Sequence, residues 1–487
     1  MRKALTFVTL AALSVGCAKG GAVADPSTPT VAKYDESAVA ADGPSRGSSD
    51  RPRNPNGSWI GAAAESEMLP SGTRDTFLGV WVDVPDTRPE SRPPMEVVLV
   101  IDTSGSMAGQ KIRNARTAAS TLVRSLRDGD IVGLDAFSDH ARTVVQPTRL
   151  DAVSREEILR QIAQLREGGS TNMFEGLNLA ESQIAATPSS HPLRRVVLVS
   201  DGIANVGPSS PEVLGSIAER GLRFRAQVTS LGVGNDYDEN TLNALAIRSS
   251  GRLYHLDERQ EMATVMKGEI DMLNNTLASE AFMEVVPAPG VQLLGADGSN
   301  LAQWVPNGDG QNALRIPLGA LTAGQHREAL VKVRIQDPEA FEGHARSMAS
   351  VRLRFRDAQE NDLERIQETI AKAQLTNDSA AVSRTANNRT KTIVALSEAS
   401  VKQIAASQRI NDGNFIDADK ELERAERQLA SQAQATTSAP EKKRLEAAAG
   451  RVAQTRRAAQ AMPSAPKAVQ RDSALKINAD AMHDMGK

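Results

Sequence analysis

Apolar and polar positions along this chain follow three regimes, and each predicts a different kind of structure. The middle of the chain carries short apolar runs separated by stretches of helical period. Val97-Val98-Leu99-Val100-Ile101 is rich in β-branched residues, has no polar alternation, and runs straight into Asp102. Such a run suits a parallel strand buried on both faces. Ile112, Ala115, Ala119, Leu122 and Leu126 then fall on one face of a helix over about 110–126. The alternation continues with a strand pair over 130–137 and 141–146 around Ser138-Asp139-His140, then helices over 154–165 and 173–185. A second buried strand over 196–200 ends in Asp201. A helix (211–220), a strand (226–231), a helix (241–249), a short strand (252–256) and a closing helix (261–277) complete the unit. This succession predicts an α/β, doubly wound, Rossmann-like parallel sheet over 95–278.

From about 279 to 357 the period drops to two. Segments 282–286, 314–318, 328–335 and 351–355 read as strands, separated by turns such as Gly308-Asp309-Gly310. They predict an antiparallel sheet or small sandwich. Thr76 to Val84 also reads as a strand, ahead of the α/β unit and without a partner in it. It is expected to pair far downstream, so that 73–94 and 279–357 form one β-sandwich-like domain with the α/β unit inserted in it. A β domain that merely follows the α/β unit is the alternative.

The flanks differ again. Residues 18–72 are rich in Gly, Ala, Ser, Pro and Asp without periodicity and read as a disordered tether. From about 362 the chain is rich in Ala, Gln, Glu and Arg. Helical spacing over 389–407, 417–429 and 440–459, with the turn Asn411-Asp412-Gly413-Asn414, predicts a helical hairpin or bundle over 362–462. Residues 463–487 read as a flexible tail.

Composition narrows the function. A chain of 487 residues holds two or three domains. The net charge is −3, no basic stripe occurs, and aromatics are 3%, which argues against nucleic-acid binding. Cys17 is the single cysteine, so no disulfide forms within the chain. Arg2 and Lys3 precede an apolar run from Ala4 to Val15 that is too short to span a bilayer. The run ends in Leu13-Ser14-Val15-Gly16-Cys17, which resembles a bacterial lipoprotein signal over residues 1–17. Leu13 stands one position earlier than that pattern usually has it. The resemblance implies lipidation of Cys17 and a membrane anchor at the bacterial cell envelope, in the outer membrane or facing the periplasm. Ala18 after the cysteine fits outer-membrane sorting. A cleaved signal peptide with an incidental cysteine is the alternative.

Three separated pieces fall at strand ends of the same predicted sheet. They are Asp102-x-Ser104-x-Ser106, Thr171 in Gly168-Gly169-Ser170-Thr171-Asn172, and Asp201 in Val199-Ser200-Asp201-Gly202. Open α/β sheets place ligands at the carboxyl ends of strands, and an all-oxygen pocket suits a hard divalent cation. Together the pieces resemble the von Willebrand factor A domain with its metal-ion-dependent adhesion site, over roughly 95–277. The resemblance implies Mg²⁺, with Mn²⁺ or Ca²⁺ as alternatives. Ser104, Ser106 and Thr171 would bind it directly or through water, with Asp102 and Asp201 supplying charge. Few direct carboxylates leave such a cation under-neutralised, with a position open to an acidic group from a partner protein or glycan. Thr103 is expected to pack or cap, Asn205 to shape its loop, and Asp135 to be a strand-exposed acid.

Enzyme readings find little support. His140, His191, His255, His326, His344 and His483 form no His-x₂₋₄-His or Glu-x-x-His pair. Ser104 and Ser106 lack a histidine base in any recognisable motif, and Gly-x-Ser-x-Gly is absent. Gly232-Val233-Gly234 lacks the third glycine of a nucleotide fingerprint. The expected function is therefore non-catalytic: an envelope-anchored, metal-dependent binding, adhesion or assembly protein. The alternative is a scaffold that binds partners through its C-terminal helices. A Mg²⁺-dependent hydrolase ranks third, because no base or second metal cluster is visible.

Overall fold

The computed structural model describes residues 58–484 apart from 88–91, 202, 235–236, 257–261, 298–301, 307–311 and 361. The signal segment with Cys17, and the tether up to residue 57, lie outside the described residues. Three strands come first: β1 (Ile60–Ala64), β2 (Met68–Pro70) and β3 (Asp75–Asp83). Strand β1 runs antiparallel to β3, with Ile60 opposite Val82 and Ala64 opposite Leu78. This corrects the last part of the tether expected over 18–72, from residue 58 on. The run Gly-Ala-Ala-Ala after Ile60 carries no amphipathic signal, and its small residues answer a tertiary need instead. A side chain at Gly61 would come within 2.3 Å of the Trp81 indole.

The α/β unit follows. Its strands are β4 (Met95–Asp102), β5 (Ile131–Phe137), β6 (Ala141–Arg149), β7 (Leu193–Ser200), β8 (Ala226–Val233) and β9 (Arg252–Leu256). They lie in the order β6-β5-β4-β7-β8-β9, with only β6 antiparallel. Helices α1 (Gln110–Ser125), α2 (Ala152–Ala163) and α6 (Met262–Asn274) cover one face. There Val97, Leu99 and Ile101 pack with Ile112, Leu122, Ile158 and Ile270. Helices α3 (Met173–Ala185), α4 (Pro211–Gly221) and α5 (Glu239–Arg248) cover the other, where Val98 and Val100 meet Leu177, Ile184, Ile217 and Leu245. All eight residues of β4 are buried, which is why its sequence shows an unbroken apolar run.

The chain then builds the rest of a sandwich: β10 (Thr276–Pro287), β11 (Val291–Asp297), β12 (Gln303–Pro306), β13 (Asn312–Thr322), β14 (His326–Ile335), β15 (Arg346–Asp357) and β16 (Leu363–Thr376). One sheet has the order β1-β3-β14-β11 and the other β12-β13-β10-β15-β16-β2. Strand β3 pairs antiparallel with β14, Leu78 opposite Val331 and Val80 opposite Ala329. The α/β unit is thus inserted between β3 and β10. Leu78, Val80, Met283, Val285, Val331 and Leu353 share one core between the sheets.

Two boundaries move at the C-terminal side. The helical segment expected from 362 begins later, because Leu363–Thr376 is strand β16, paired with β15 along its length. Its Ala-, Glu- and Gln-rich sequence favours helix, but the free edge of β15 and burial of Ala371, Ala373 and Leu375 override that preference. Helices α7 (Ser379–Arg384), α8 (Asn388–Asn411), α9 (Phe415–Ala435), α10 (Ala439–Gln460) and α11 (Lys467–Asp484) follow. The tail expected over 463–487 is instead largely helix α11. Ala474 and Ile477 enter the bundle core with Leu422, Leu429, Leu445 and Val452, and the Ser407 hydroxyl donates to the Ala474 carbonyl at 2.8 Å. Alanine-dominated burial gives too weak a periodicity to read from sequence. Among the described residues no helix is long and apolar enough to cross a membrane.

A buried ion network ties the bundle to the sandwich. Arg389 donates to both oxygens of Asp83, at 2.6 and 2.7 Å, and to Glu328 at 3.0 Å. Its guanidinium lies 4.6 Å above the Trp81 ring, and Arg444 also holds Glu328. Burial would raise the Asp83 carboxyl, but hydrogen bonds from Arg389 and His326 outweigh it and hold it at about 2. Arg389→Ala leaves Asp83 with His326 and Glu328 with Arg444 as their remaining partners, and is expected to cost about 3 kcal/mol. The check is the urea midpoint read by tryptophan fluorescence, with Trp81 as the local reporter.

Glu96, near the start of β4, has the opposite electrostatics. The Thr187 hydroxyl donates to one carboxyl oxygen, while the other, buried, has no partner. Burial pushes this carboxyl up to about 7, against the pull of Arg194. The folded state therefore keeps a proton that the unfolded chain releases near 4.5, and stability falls as pH rises from there to about 7. Glu96→Gln is expected to flatten that window and to be more stable than the parent at pH 8 by about 1–3 kcal/mol. Urea titrations across pH 4–8 provide the measurement.

Candidate metal centre

Topology places the centre. The chain leaves β4 toward β5 on one side and returns at β7 on the other, so the carboxyl ends of β4 and β7 flank a switch point. Ile101 lies beside Val199 in the parallel register, and Asp102 therefore emerges next to Ser200 and Asp201. Both aspartates are buried, at 0% and 1% exposure. Past Asp102 the chain makes one tight turn, Gly105–Met107, pinned by the buried Met107 side chain.

The polar atoms close into a network. The Ser104 amide donates to Asp102 Oδ1 at 2.8 Å, and the Ser200 hydroxyl donates to Asp102 Oδ2 at 2.6 Å. Ser104 Oγ and Ser106 Oγ lie 3.0 Å apart. The Ser106 hydroxyl donates to Asp201 Oδ1 at 2.8 Å, and the Lys111 ammonium, from the first turn of α1, donates to Asp201 Oδ2 at 2.6 Å. Ser104 is buried and Ser106 is exposed, so the pocket opens to solvent on the Ser106 side.

The Thr171 loop is fastened to the same turn. The Gly105 amide donates to the Gly169 carbonyl at 3.0 Å, and the Gly168 amide to the Thr103 carbonyl at 2.8 Å. Asp139 Oδ1 accepts from the Ser170 amide at 2.9 Å. Gly169 has φ +82°, and a side chain there would come within 2.3 Å of the Asp139 carboxylate. The Thr171 amide donates to Asn205 Oδ1 at 2.8 Å, and the Asn205 amide donates back to the Thr171 carbonyl at 3.0 Å. Asn172 caps α3 by accepting from the Glu175 amide at 3.2 Å.

All five sequence-selected residues, Asp102, Ser104, Ser106, Thr171 and Asp201, thus lie on three adjoining loops. Asn205 shapes the Thr171 loop, and the Thr103 hydroxyl donates to the Phe137 carbonyl at 3.0 Å. Asp135 is a correction. It is fully buried under α3, where Gln183 Nε2 donates to it at 2.6 Å, and burial pushes its carboxyl up to about 6. Ser200, Lys111 and Asp139 escaped sequence reading. Ser200 ends an apolar run as a turn residue would, and a lysine in the first turn of a helix or an aspartate in a turn carries no distinguishing spacing.

The donor set fits a hard divalent cation. Its oxygens are hydroxyls and carboxylates, and among the described residues no three His, Cys, Asp or Glu side chains cluster as an alternative site. Burial pushes the Asp102 carboxyl up to about 6 despite hydrogen bonds from Ser104 and Ser200, and the Asp201 charge adds to the rise. That is a deficit of positive charge at the strand end. Asp201, by contrast, already has the Lys111 ammonium against it.

A doubly wound sheet with such a pocket at its switch point defines a class of ligand-binding α/β domain. Residues 96–267 match the family model of the von Willebrand factor type A domain, and the inserted unit is a domain of that family. The chain is 25% identical over 299 residues to the Escherichia coli (strain K12) protein YfbK, covering 60% of this chain and 51% of that one. It is 27% identical over 200 residues to inter-alpha-trypsin inhibitor heavy chain H3 of Mesocricetus auratus, covering 39% of this chain and 22% of that one. The match thus spans about half of the first relative and less of the second. A solved von Willebrand factor type A structure from Catenulispora acidiphila superposes with a TM-score of 0.70 at 18% identity. It covers 88% of this chain and 98% of its own, so the likeness in fold reaches beyond the α/β domain. Domains of this family generally act in protein–protein binding or adhesion and commonly bind a divalent metal.

Asn205→Ala removes the partner of the Thr171 amide and is expected to cost about 1 kcal/mol. Hydrogen exchange at the Thr171 amide should rise severalfold, with exchange in β4 and β7 unchanged.

Proposed function

We propose that this protein is an envelope-anchored binding protein that grips an acidic group of a partner through a divalent cation, Mg²⁺, in the pocket between β4 and β7. The observation that carries the reading is the pair of buried carboxylates, Asp102 and Asp201, linked through the Ser104 amide and the paired hydroxyls of Ser104 and Ser106 at the topological switch point. Ser104, Ser106 and Thr171 would hold the ion, and the two aspartates would supply its charge. When bound, the ion supplies a positive centre for a carboxylate to meet. Lipidation at Cys17 would tether the chain to the bacterial envelope, outer membrane or periplasm-facing, and the partner would be a protein or glycan. The site is read as non-catalytic, because its hydroxyls and carboxylates are tied to one another and no histidine joins the described network.

Mg²⁺ is expected to raise the melting temperature of the full-length chain, as a ligand of the native state must. Asp102→Ala and Ser104→Ala should each weaken Mg²⁺ binding at least tenfold by calorimetry. Partner capture from envelope extracts should be lost with chelator and with either variant. Unchanged Mg²⁺ binding in both variants would refute the site. Capture that survives chelator would move binding to the helical bundle, where Ile416 and Val401 are 73% and 58% exposed.

A further inference from the structure

Among the described residues, three charged groups belong to the hydrogen-bond network that joins Asp102 to Asp201. Asp102 and Asp201 bring two negative charges, and Lys111 brings one positive charge. Lys111 is not a solvated surface lysine: its side chain is 19% exposed, and its ammonium sits 2.6 Å from an oxygen of the fully buried Asp201 carboxylate. Ser106 occupies the other Asp201 oxygen at 2.8 Å, so both are already engaged. The lysine also has a neighbour on the far side. The loop after β8 lies against it, such that a Cβ at Gly234 would be 3.6 Å from Lys111 Cε and 3.7 Å from Nζ. The ammonium is placed by its bond to Asp201, with the Gly234 backbone as its neighbour on the other side.

We propose that Lys111 is a fixed counter-charge that weakens divalent-cation binding and keeps the loaded pocket selective for an anionic ligand. This rests on the metal-dependent reading above. Two carboxylates and one ammonium sum to −1, and a divalent cation then leaves the pocket at +1. Without the ammonium the same ion would leave it neutral. Lys111 therefore works in opposite directions on the two binding steps. It repels the metal, and it supplies the surplus positive charge that draws in a partner carboxylate. A unit charge a few ångströms away at an effective dielectric of about 20–40 is worth roughly tenfold or more in each step. Lys111 positions and tunes, since it needs to touch neither metal nor partner.

The test uses the full-length chain with Mn²⁺ alone, followed by acetate as the carboxylate probe. Lys111→Met is expected to bind Mn²⁺ at least tenfold more tightly in calorimetry. The Mn²⁺-loaded variant should bind acetate at least fivefold more weakly, read from the Mn²⁺ electron paramagnetic resonance spectrum. Lys111→Arg, which keeps the charge, should stay within about threefold of the parent in both. Lys111→Gln provides a second neutral variant if the methionine form folds poorly. Mn²⁺ affinity unchanged or lowered in the neutral variants would overturn the inference while leaving the metal site standing. A parent chain that binds no Mn²⁺ would overturn the metal reading and this inference with it.

Discussion

Two carboxylates buried at adjacent strand ends are the constraint around which this molecule is arranged. An isolated buried carboxylate costs several kcal/mol, so each needs donors or a cation close by. Asp102 obtains a backbone amide and the Ser200 hydroxyl, and Asp201 obtains the Ser106 hydroxyl and the Lys111 ammonium. The compensation is unequal. Asp201 has a full positive charge against it, whereas Asp102 has only dipoles, and its carboxyl is pushed up to about 6. The imbalance leaves Asp102 without a positive charge against it.

The surrounding fold keeps those strand ends still. Strand β4 is central and buried on both faces, so Asp102 is aimed by packing along eight residues rather than by a loop. The Thr171 loop is more dependent on polar contacts. It is stitched to the Asp102 turn through Gly105–Gly169 and Gly168–Thr103 amide bonds and to Asn205 in both directions. Insertion of the α/β domain between β3 and β10 clamps both of its ends to one sandwich. The Arg389 network then fastens the helical bundle to that sandwich. The bundle also reaches the α/β domain directly: Arg471 donates to the Tyr237 carbonyl at 3.2 Å and Asn478 to Glu239 at 2.9 Å. Tyr237 stands three positions after Gly234, the neighbour of Lys111, so the last helix touches the chain close to the lysine.

Legibility from sequence followed burial. Where a strand is covered on both faces or a helix on one, the apolar period shows it, and the six-stranded sheet with its flanking helices could be read off directly. The motif residues were readable for a second reason. Asp, Ser, Thr and Gly at strand ends are individually ordinary, but three such pieces in one order along one sheet are specific. Elements held together by partners rather than by their own pattern were not readable. Strand β16 carries a helix-favouring composition and is a strand because β15 offers it an edge. Strand β1 is a run of small residues fitted beneath Trp81, and α11 is bound through alanines.

By itself, then, the sequence determined the class of the central domain, the insertion of that domain into a β framework, and five oxygen-bearing residues on its loops, although Thr171 lies between helices α2 and α3 and not at a strand end. Each is a matter of local period or of residue type at a fixed spacing. Only the tertiary structure decided which charges face one another. Asp135 is buried because α3 lies over β5. Lys111 meets Asp201 because helix α1 starts beside the end of β7, 90 residues away along the chain and 2.6 Å away in space. Electrostatics depends on distance through space, and distance through space is what spacing along a chain does not encode.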